Sequence, residues 1–143
     1  MAEARVDLAG FKRLLVEVAE GWLLGDVDRA LASFAPDAVY MEPPDRQLFV
    51  GHADLRPYFA AVERGTRMTW HGVWFDDVSQ SGAAEFSFGD DGRPVIDHGV
   101  AVLELRDGRI ASWQEYVVKG PRERAEFLAT EGKAWQWHGG LYR

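Results

Sequence analysis

Two acidic residues each follow an aromatic residue by two positions, in segments whose composition is typical of β-strands. Glu42 follows Tyr40 immediately before Pro43, and Glu115 follows Trp113. Because side chains alternate between the two faces of a strand, each acid shares a face with its aromatic neighbour. A carboxyl enclosed by apolar side chains loses solvation of its charged form, so its pKa rises towards neutral pH. Two such groups in one pocket supply a general acid and a general base.

A surface position is the alternative for both acids. Glu42 would then be an ordinary acid at the edge of a loop. Glu115 would be an exposed acid on a strand, because Gln114 and Tyr116 occupy the opposite face and either face of that strand is a candidate for the wet one.

Other reaction chemistries lack the residues they need. The chain has no Cys, which excludes disulfides, thiolate nucleophiles and thiolate metal sites. The four His residues do not occur at a metal-ligand spacing, and no Ser lies in a G-x-S-x-G motif. The acidic GDDGR segment is typical of a hairpin and not of a phosphate-binding loop. The sequence therefore predicts neither a metal nor a cofactor.

Length and charge restrict the class of protein further. A chain of 143 residues is expected to form one domain over residues 1–143, and 47% hydrophobic residues suffice for a core. A net charge of −7 without a basic run predicts no nucleic-acid partner and no binding to an acidic membrane surface. Charged residues interrupt every apolar stretch of residues 1–26, which predicts neither a signal peptide nor a membrane span and favours the cytoplasm.

Apolar residues at spacings of three and four predict amphipathic helices over residues 7–24 and 52–64. Asp26 is a candidate N-cap for a short helix between them. This second helix is expected to carry Phe34 on its apolar face and to end before Pro36. About three helices are therefore expected in the N-terminal half.

Strands dominate the rest of the chain. Residues 37–42 are expected to be extended, and a loop is expected from there to Gly51. After Thr66 an antiparallel meander of four strands is predicted, with turns at Asp-Gly pairs, over TRMTWHGVWFDDV, AAEFSFG, PVIDHGVAVLEL and RIASWQEYVV. A last helix is expected over residues 122–130. Helices followed by strands are typical of an α+β fold in which a curved sheet wraps helices on one face.

Several short motifs follow one another in a characteristic order: a helix, Gly-Asp, a second helix, APDAVYMEPP, G-H-x-x-L-R-x-Y-F and a meander ending in DGRIASWQEY. This order resembles the nuclear transport factor 2-like superfamily, in particular its SnoaL-like polyketide cyclase, limonene epoxide hydrolase-like and ketosteroid isomerase-like branch. The resemblance covers about residues 8–118 and leaves a C-terminal helix and a Trp-rich tail over 119–143. It implies a cone-shaped, curved antiparallel sheet that wraps about three N-terminal helices, as in a cystatin-like barrel. The superfamily hosts several enzyme classes and plain binding proteins, so the fold alone does not assign an activity.

The resemblance also implies catalytic residues. Tyr40 and Glu42 match positions where related enzymes direct polar groups into the cone, and Glu42 before Pro43 is similar to the general-base Asp of the ketosteroid isomerases. Trp113 and Glu115 match the Trp and the acid of the epoxide hydrolases and the acid/base residue of the SnoaL cyclases. Glu115 is therefore the strongest single candidate.

The turn before the last strand decides whether a third carboxyl joins this site. A three-residue Arg-Asp-Gly turn places Ala101 opposite Trp113 and directs Asp97 into the cone. A two-residue Asp-Gly turn places Val102 opposite Trp113 and directs His98 inward instead. The resemblance favours the first register, so Asp97 is the predicted third carboxyl and His98 is the alternative.

The electrophilic partners of the named enzymes are missing. The Arg and neighbouring Asp of the epoxide hydrolases correspond to Gly82 and Ala84, and the oxyanion-hole Tyr of the ketosteroid isomerases corresponds to Val18. The SnoaL His also lacks a counterpart. Epoxide hydrolysis would require Arg93 or Arg109 to enter the cone.

Aromatic side chains give the predicted sheet a wall suited to a flat apolar ligand. The residues expected to line a substrate pocket are Trp113, Trp70, Trp74, Phe86, Phe88, Val18, Trp22 and His98. Packing in the core or between subunits is the alternative role of the aromatic ones. Trp135 and Trp137 are expected to cover the mouth of the cone or a partner subunit. An uncovered sheet face favours a homodimer over a monomer.

We therefore predict a cofactor-independent isomerase or cyclase that uses cavity carboxylates as general acid and base. Its substrate is expected to be a hydrophobic molecule of the polyketide, steroid or terpene type. An epoxide hydrolase of the limonene type is one alternative. A non-catalytic ligand-binding or protein-interaction module is the other, and it would follow from a cone filled by its own aromatic side chains.

Overall fold

A computed structural model describes residues 2–43 and 47–134, with only the backbone for 130–134. The helices are α1 (Leu8–Leu24), α2 (Val27–Ala32), α3 (Gly51–Ala60) and α4 (Arg124–Ala134). The strands are β1 (Phe34–Glu42), β2 (Gln47–Val50), β3 (Arg67–Asp76), β4 (Ser81–Gly89), β5 (Val95–Arg106) and β6 (Arg109–Pro121). This order confirms the predicted α+β class. The predicted positions of Trp135 and Trp137 lie outside the described residues.

The first two helices begin and end where local chemistry requires. Asp7 caps α1 by accepting a hydrogen bond from the Gly10 amide at 2.8 Å. Gly25, at φ 70°, ends α1 in the left-handed conformation that glycine adopts without steric cost. Asp26 then caps α2 by accepting from the Arg29 amide at 3.0 Å. None of the described helices is long and apolar enough to cross a membrane.

Several element boundaries differ from the sequence prediction. Phe34 belongs to β1 and not to α2. Pro36 disfavours a helical conformation in the residue that precedes it, so the helix ends early, and Phe34 pairs with Ile110 of β6. The expected loop before Gly51 contains the short strand β2. The third helix ends at Ala60, earlier than predicted, and the last helix begins at Arg124.

The six strands form one sheet in the order β2-β1-β6-β5-β4-β3. All neighbours are antiparallel except β1 and β6, which run parallel. The predicted four-stranded meander is therefore present, and β1 and β2 extend it at one edge. This topology places Tyr40 of β1 directly opposite Trp113 of β6. The two acid-bearing segments of the sequence are neighbours in the sheet.

The sheet has two distinct faces. The inner face packs on α1 and α3, and its buried side chains include Tyr40, Phe86, Ala101, Leu103, Trp113 and Glu115. The outer face carries α4 at one end and exposes Trp74, Val102, Tyr116 and Val118 elsewhere. Phe127 of α4 stacks on His98 with ring centroids 4.2 Å apart. A Cβ atom at Gly120 would collide with the Phe127 ring, so a glycine is needed beneath α4.

The β5–β6 hairpin adopts neither of the two predicted registers. Asp107 (φ 51°) and Gly108 (φ 73°) form a two-residue turn with both residues in the left-handed region. An extra residue, Ala111, then forms a bulge in β6. The two-residue turn alone would pair Val102 with Trp113. The extra residue in β6 moves the pairing by one position, so Leu103 faces Trp113.

The bulge also decides which side chains of β5 face inward. A two-residue turn alone directs His98 inward, and the extra residue in β6 reverses this assignment. Asp97 therefore lies on the inner face, as the preferred register predicted, and His98 lies on the outer face. Ala101, rather than Gly99, lies opposite Glu115.

Candidate functional site

Glu115 is a buried carboxyl held by two hydrogen-bond donors on the inner face. Glu115 is 6% exposed to solvent. The Tyr40 hydroxyl donates to Oε2 at 2.8 Å, and the Trp113 indole N–H donates to the same oxygen at 2.7 Å. The two-residue period of β6 places Trp113 beside Glu115, and the β1–β6 pairing brings Tyr40 to them. The structure thus joins three of the predicted site residues.

Burial raises the pKa of Glu115 from its ordinary 4.5 to about 7. Loss of solvation is the largest cause, and the negative charges of Glu42 and Asp97 act in the same direction. The hydrogen bonds from Trp113 and Tyr40 stabilise the carboxylate and oppose this rise. At neutral pH the carboxyl therefore occurs in both protonation states, as a group that accepts and donates protons requires.

Glu42 lies half-buried at the end of β1, on the same face as Tyr40. The Tyr58 hydroxyl of α3 donates a hydrogen bond to Glu42 Oε1. The Tyr58 ring stacks on Phe49 of β2 with centroids 4.2 Å apart and lies 5.5 Å from the Tyr40 ring. Tyr58 was not among the predicted site residues, because its spacing fits the apolar stripe of the helix predicted over residues 52–64. The signal in the sequence was the hydroxyl of Tyr58, because packing in an apolar stripe does not require a hydroxyl and a polar contact does.

Trp113 is the centre of an aromatic cluster that fills the inner face. It is fully buried, and four ring centroids lie 5.6–6.0 Å from its own, those of Trp22, Phe34, Tyr40 and Trp70. The other predicted pocket residues packed in or against this core are Val18 of α1 and Phe86 and Phe88 of β4. These side chains pack mainly on one another, and their burial removes water from around Glu115.

Trp22 contributes a buried donor to this cluster. Among the described residues its indole N–H has no hydrogen-bond partner, although the residue is only 4% exposed. Its ring meets Phe59 and Phe88 nearly edge to face, at centroid distances of 5.3 and 5.7 Å. A buried donor without a partner costs about 1–3 kcal/mol. A water or ligand oxygen at this position would therefore be stabilised.

A cavity of about 470 Å³ opens at the end of the inner face. Its lining includes Phe88, Asp97 and Lys119 from the sheet and Val62 from the segment after α3. Asp97 lies opposite Lys119 in the β5–β6 ladder. The volume is within the range of about 300–1,000 Å³ typical of small-molecule sites. Asp97 is thus at the mouth of the cone.

Trp74 lies on the outer face and not in the aromatic wall. Trp70 and Trp74 are four residues apart, so a regular strand would place both on one face. A bulge between Trp70 and Gly72 breaks this alternation. Trp70 points inward, where its indole N–H donates to the Leu15 carbonyl at 3.2 Å, and Trp74 is 60% exposed.

His98 is buried on the outer face beneath α4, although it was predicted to line the pocket. Its Nε2 lies 2.7 Å from the Pro121 carbonyl oxygen and its Nδ1 lies 3.1 Å from Ser87 Oγ. His98 and Trp74 both line a groove of about 600 Å³ between α4 and the outer face. The sheet therefore separates both residues from Glu115.

The two candidate arginines for epoxide hydrolysis are both exposed. Arg93 is at the rim of the mouth cavity in an ion pair with Asp90 at 2.8 Å, and Arg109 is exposed at the β5–β6 turn. Neither lies between buried carboxyls, as an epoxide hydrolase of this fold would require. Within the described part of the chain, no group of three or more His, Asp or Glu is arranged to hold a metal ion.

The sequence matches the family model of the SnoaL-like domain over residues 15–113. The match covers more than half of the chain and includes the second half of α1, all of α2 and α3, and most of the sheet. The chain therefore belongs to the SnoaL-like domain family. No curated protein matches it.

Solved structures with the same fold agree with this assignment. A cystatin-like protein of unknown function from Methylobium petroleophilum PM1 has a TM-score of 0.71 and 20% identity, over 84% of this chain and 82% of that one. The epoxide hydrolase/cyclase-like enzyme SalBIII, which has a role in pyran ring formation in the polyether salinomycin, has a TM-score of 0.69 and 22% identity, over 80% and 98%. A protein with a ketosteroid isomerase-like fold from Catenulispora acidiphila DSM 44928 has a TM-score of 0.62 and 17% identity, over 83% and 92%. At these identities the likeness establishes the fold alone.

Proposed function

We propose that the protein is a cofactor-independent enzyme that uses Glu115 as general acid and base on a hydrophobic small molecule, in an isomerisation or a cyclisation. The observation that carries this proposal is the Glu115 carboxyl itself. It is 6% exposed, its pKa is raised to about 7, and Tyr40 and Trp113 fix its orientation. Perturbed carboxyls of this kind cluster at functional sites.

The two donors decide which oxygen of Glu115 reacts. Both bind Oε2, and none of the described contacts involves Oε1. Oε1 is therefore the oxygen that exchanges a proton with the substrate. In an isomerisation the carboxylate takes a proton from carbon next to a carbonyl, the electrons of the C–H bond form an enolate, and the same carboxyl returns the proton to another carbon.

The substrate follows from the surroundings of this carboxyl. Aromatic and aliphatic side chains surround this carboxyl, and Asp97 and Lys119 of the mouth cavity, whose lining does not include Glu115, suit a polar end group. A polyketide-, steroid- or terpene-like molecule combines these features. The net charge of −7 disfavours a nucleic-acid partner, and we propose a cytoplasmic location.

A non-catalytic binding module is the second candidate. The observation that favours it is the aromatic cluster around Trp113, which fills much of the inner face. A limonene-type epoxide hydrolase has less support, because Arg93 and Arg109 are both exposed.

The catalytic proposal predicts that Glu115→Gln lowers turnover by at least about a hundredfold, since a general acid/base group contributes about 10²–10⁴ in rate. The assay is a panel of β,γ-unsaturated ketones, poly-β-carbonyl chains and epoxy alcohols, followed by mass spectrometry and NMR. Glu104→Gln is the matched control, because Glu104 is exposed on the outer face. Binding of panel compounds without turnover by the parent protein would favour the binding module. Equal turnover by parent and Glu115→Gln would remove Glu115 from the mechanism.

We also propose that the outer face forms a homodimer interface. Among the described residues, the exposed apolar side chains on this face include Trp74, Val102, Tyr116 and Val118, and α4 covers the face only at one end. Contiguous exposed apolar surface of this kind marks interaction sites.

The dimer proposal predicts that Val102→Lys halves the mass measured by light scattering, from twice the 16.1 kDa chain to one chain. Placing an ammonium group in the centre of an apolar interface carries a large desolvation cost. Val78→Lys is the control, since Val78 is 80% exposed in the β3–β4 turn, away from this face. A parent protein that is already monomeric at high concentration would contradict the proposal.

A further inference from the structure

An apolar groove on the outer face includes an arginine in its wall. The groove of about 600 Å³ lies between α4 and the sheet, and its lining includes Val100, Tyr116, Val118 and Leu128. Arg124, the first residue of α4, lines the same groove. A volume of this size suits a small molecule, and a guanidinium in an apolar wall suits a molecule with a negatively charged end.

A smaller polar cavity adjoins this groove. It has a volume of about 190 Å³, and its lining includes Arg67, His71 and Ser87. Arg124 lines both cavities. Ser87 Oγ also lies 3.1 Å from Nδ1 of His98, which lines the groove. The apolar groove and the polar cavity are therefore neighbours on the outer face.

The acids that line the polar cavity already pair with arginines. Asp90 pairs with Arg93 at 2.8 Å. Asp91 pairs with Arg122 at 2.8 Å, and Glu123 lies 4.0 Å from the same guanidinium. These contacts offset the negative charge of the three acids.

Two further arginines can act on a ligand. Among the described residues, Arg67 forms no ion pair. Arg124 binds Glu85 through Nη2, and none of its described contacts involves Nε or Nη1. Because a guanidinium has five N–H donors, Arg124 can bind a second carboxylate.

The neighbouring hydroxyl and imidazole groups are hydrogen-bonded to one another. The Pro121 carbonyl only accepts, so Nε2 of His98 donates to it at 2.7 Å. Nδ1 of a neutral His98 then accepts from the Ser87 hydroxyl, and Ser87 Oγ accepts from Nε2 of His71 at 2.7 Å. These groups therefore hold the wall between the cavities in place, and the arginines are left to bind an anion.

We propose that the groove and the polar cavity together form a second ligand site, for an acid with a long apolar chain such as a fatty acid. The carboxylate binds Arg124, Arg67 adds positive charge, and the chain lies in the groove. A monoanion fits better than a phosphate dianion, because Glu85 beside Arg124 repels additional negative charge. The site does not include Glu115, so this inference goes beyond the catalytic proposal.

The proposed dimer interface uses part of the same surface. Tyr116 and Val118 belong to that interface and also line the groove. Val102 belongs to the interface but is not among the residues that line the groove. Binding is therefore measured in the parent and in Val102→Lys, whose charged side chain keeps the outer face accessible.

The test is an NMR titration of the tryptophan indole N–H signals with decanoate below its micelle-forming concentration. Trp74 lines the groove, whereas Trp22 and Trp113 belong to the aromatic cluster of the inner face. Decanoate is expected to shift the Trp74 signal, assigned through Trp74→Phe, and to leave the other two in place. Decanol has the same chain without the charge, and it is expected to bind at least about tenfold more weakly. Acetate, which lacks the chain, is expected to cause no shift at the same concentration.

Two substitutions separate the charged end of the site from the apolar groove. Arg124→Gln is expected to lower the affinity for decanoate at least about tenfold and to leave that for decanol unchanged. Arg56→Gln is the matched control, because Arg56 forms an exposed ion pair with Asp28 between α2 and α3. Val118→Asp places a charge in the apolar wall, so it is expected to weaken the binding of both ligands.

The proposal fails if decanoate binds to neither the parent nor Val102→Lys. Equal affinities for decanoate and decanol, or an unchanged affinity for decanoate in Arg124→Gln, would also overturn it. Shifts at Trp22 and Trp113 without a shift at Trp74 would place the acid in the cone, which would overturn the second site and leave the catalytic proposal standing. Turnover retained in Glu115→Gln would remove the catalytic proposal and leave the result at Trp74 unaffected.

Discussion

Trp113→Ala is expected to lower the free energy of unfolding by about 3–5 kcal/mol, the usual range for truncating a buried Trp. Trp113 is fully buried, and it contacts rings from both the helices and the sheet, including Trp22 of α1 and Trp70 of β3. Its removal leaves a cavity that these elements can only partly close. The measurement is urea unfolding followed by circular dichroism, with the change taken from the midpoint at constant slope.

Trp113→Phe separates packing from hydrogen bonding in this prediction. A Phe ring retains much of the contact with Trp22 and Phe34 but removes the donor to Glu115 Oε2. Its cost is expected to be smaller than that of Ala. Because the lost donor stabilised the carboxylate while the Phe ring keeps most of the packing, the pKa of Glu115 is expected to rise further in Trp113→Phe. A loss below about 0.5 kcal/mol in Trp113→Ala, within the spread of typical surface substitutions, would mean that Trp113 is not part of the core.

The core and the candidate site are thus built from the same side chains. Trp113 fills the centre of the inner face and also donates to Glu115, and Tyr40 has the same two roles. The aromatic packing that stabilises the fold therefore removes water from the carboxyl and raises its pKa. A polar substitution in this cluster would change stability and proton affinity together.

Local signals predicted the helices and the acid pairs. Asp26 caps α2 within three residues of its own position, as predicted, and Asp7 and Gly25 act over the same short range at the two ends of α1. The pairs Tyr40/Glu42 and Trp113/Glu115 needed only the two-residue period of a strand. Their meeting across the β1–β6 pair was implied by resemblance to a family and not by the residues themselves.

Bulges and long-range contacts limited the prediction of the site. Ala111 adds a residue to β6, and a bulge after Trp70 adds one to β3, without a local signal such as Gly or Pro at the extra position. Each bulge exchanges the faces of every residue beyond it, which is why His98 and Trp74 lie outside the cone. Tyr58 reaches Glu42 from a helix 16 residues away, and only the packing of α3 on β1 makes that contact.

Between pH 4 and pH 8, Glu115→Gln is expected to gain about 3 kcal/mol of stability relative to the parent. In the folded protein Glu115 holds its proton up to about pH 7, whereas in the unfolded chain it ionises near 4.5. Between these values the folded state binds more protons than the unfolded state, so the stability of the parent falls as the pH rises. A shift of this size corresponds to about 3 kcal/mol. Gln does not ionise and lacks this dependence.

Parallel unfolding titrations from pH 4 to pH 8 measure this difference, with Glu104→Gln as the control for loss of an exposed acid. Groups that titrate in the same range, such as His71, are common to all three proteins and cancel in the comparison. The curves of Glu104→Gln and the parent are expected to run parallel, and the curve of Glu115→Gln is expected to diverge from them above about pH 5. Parallel curves for all three proteins would mean that Glu115 ionises as readily in the fold as in water. The buried carboxyl would then lack the property that makes it a candidate acid and base.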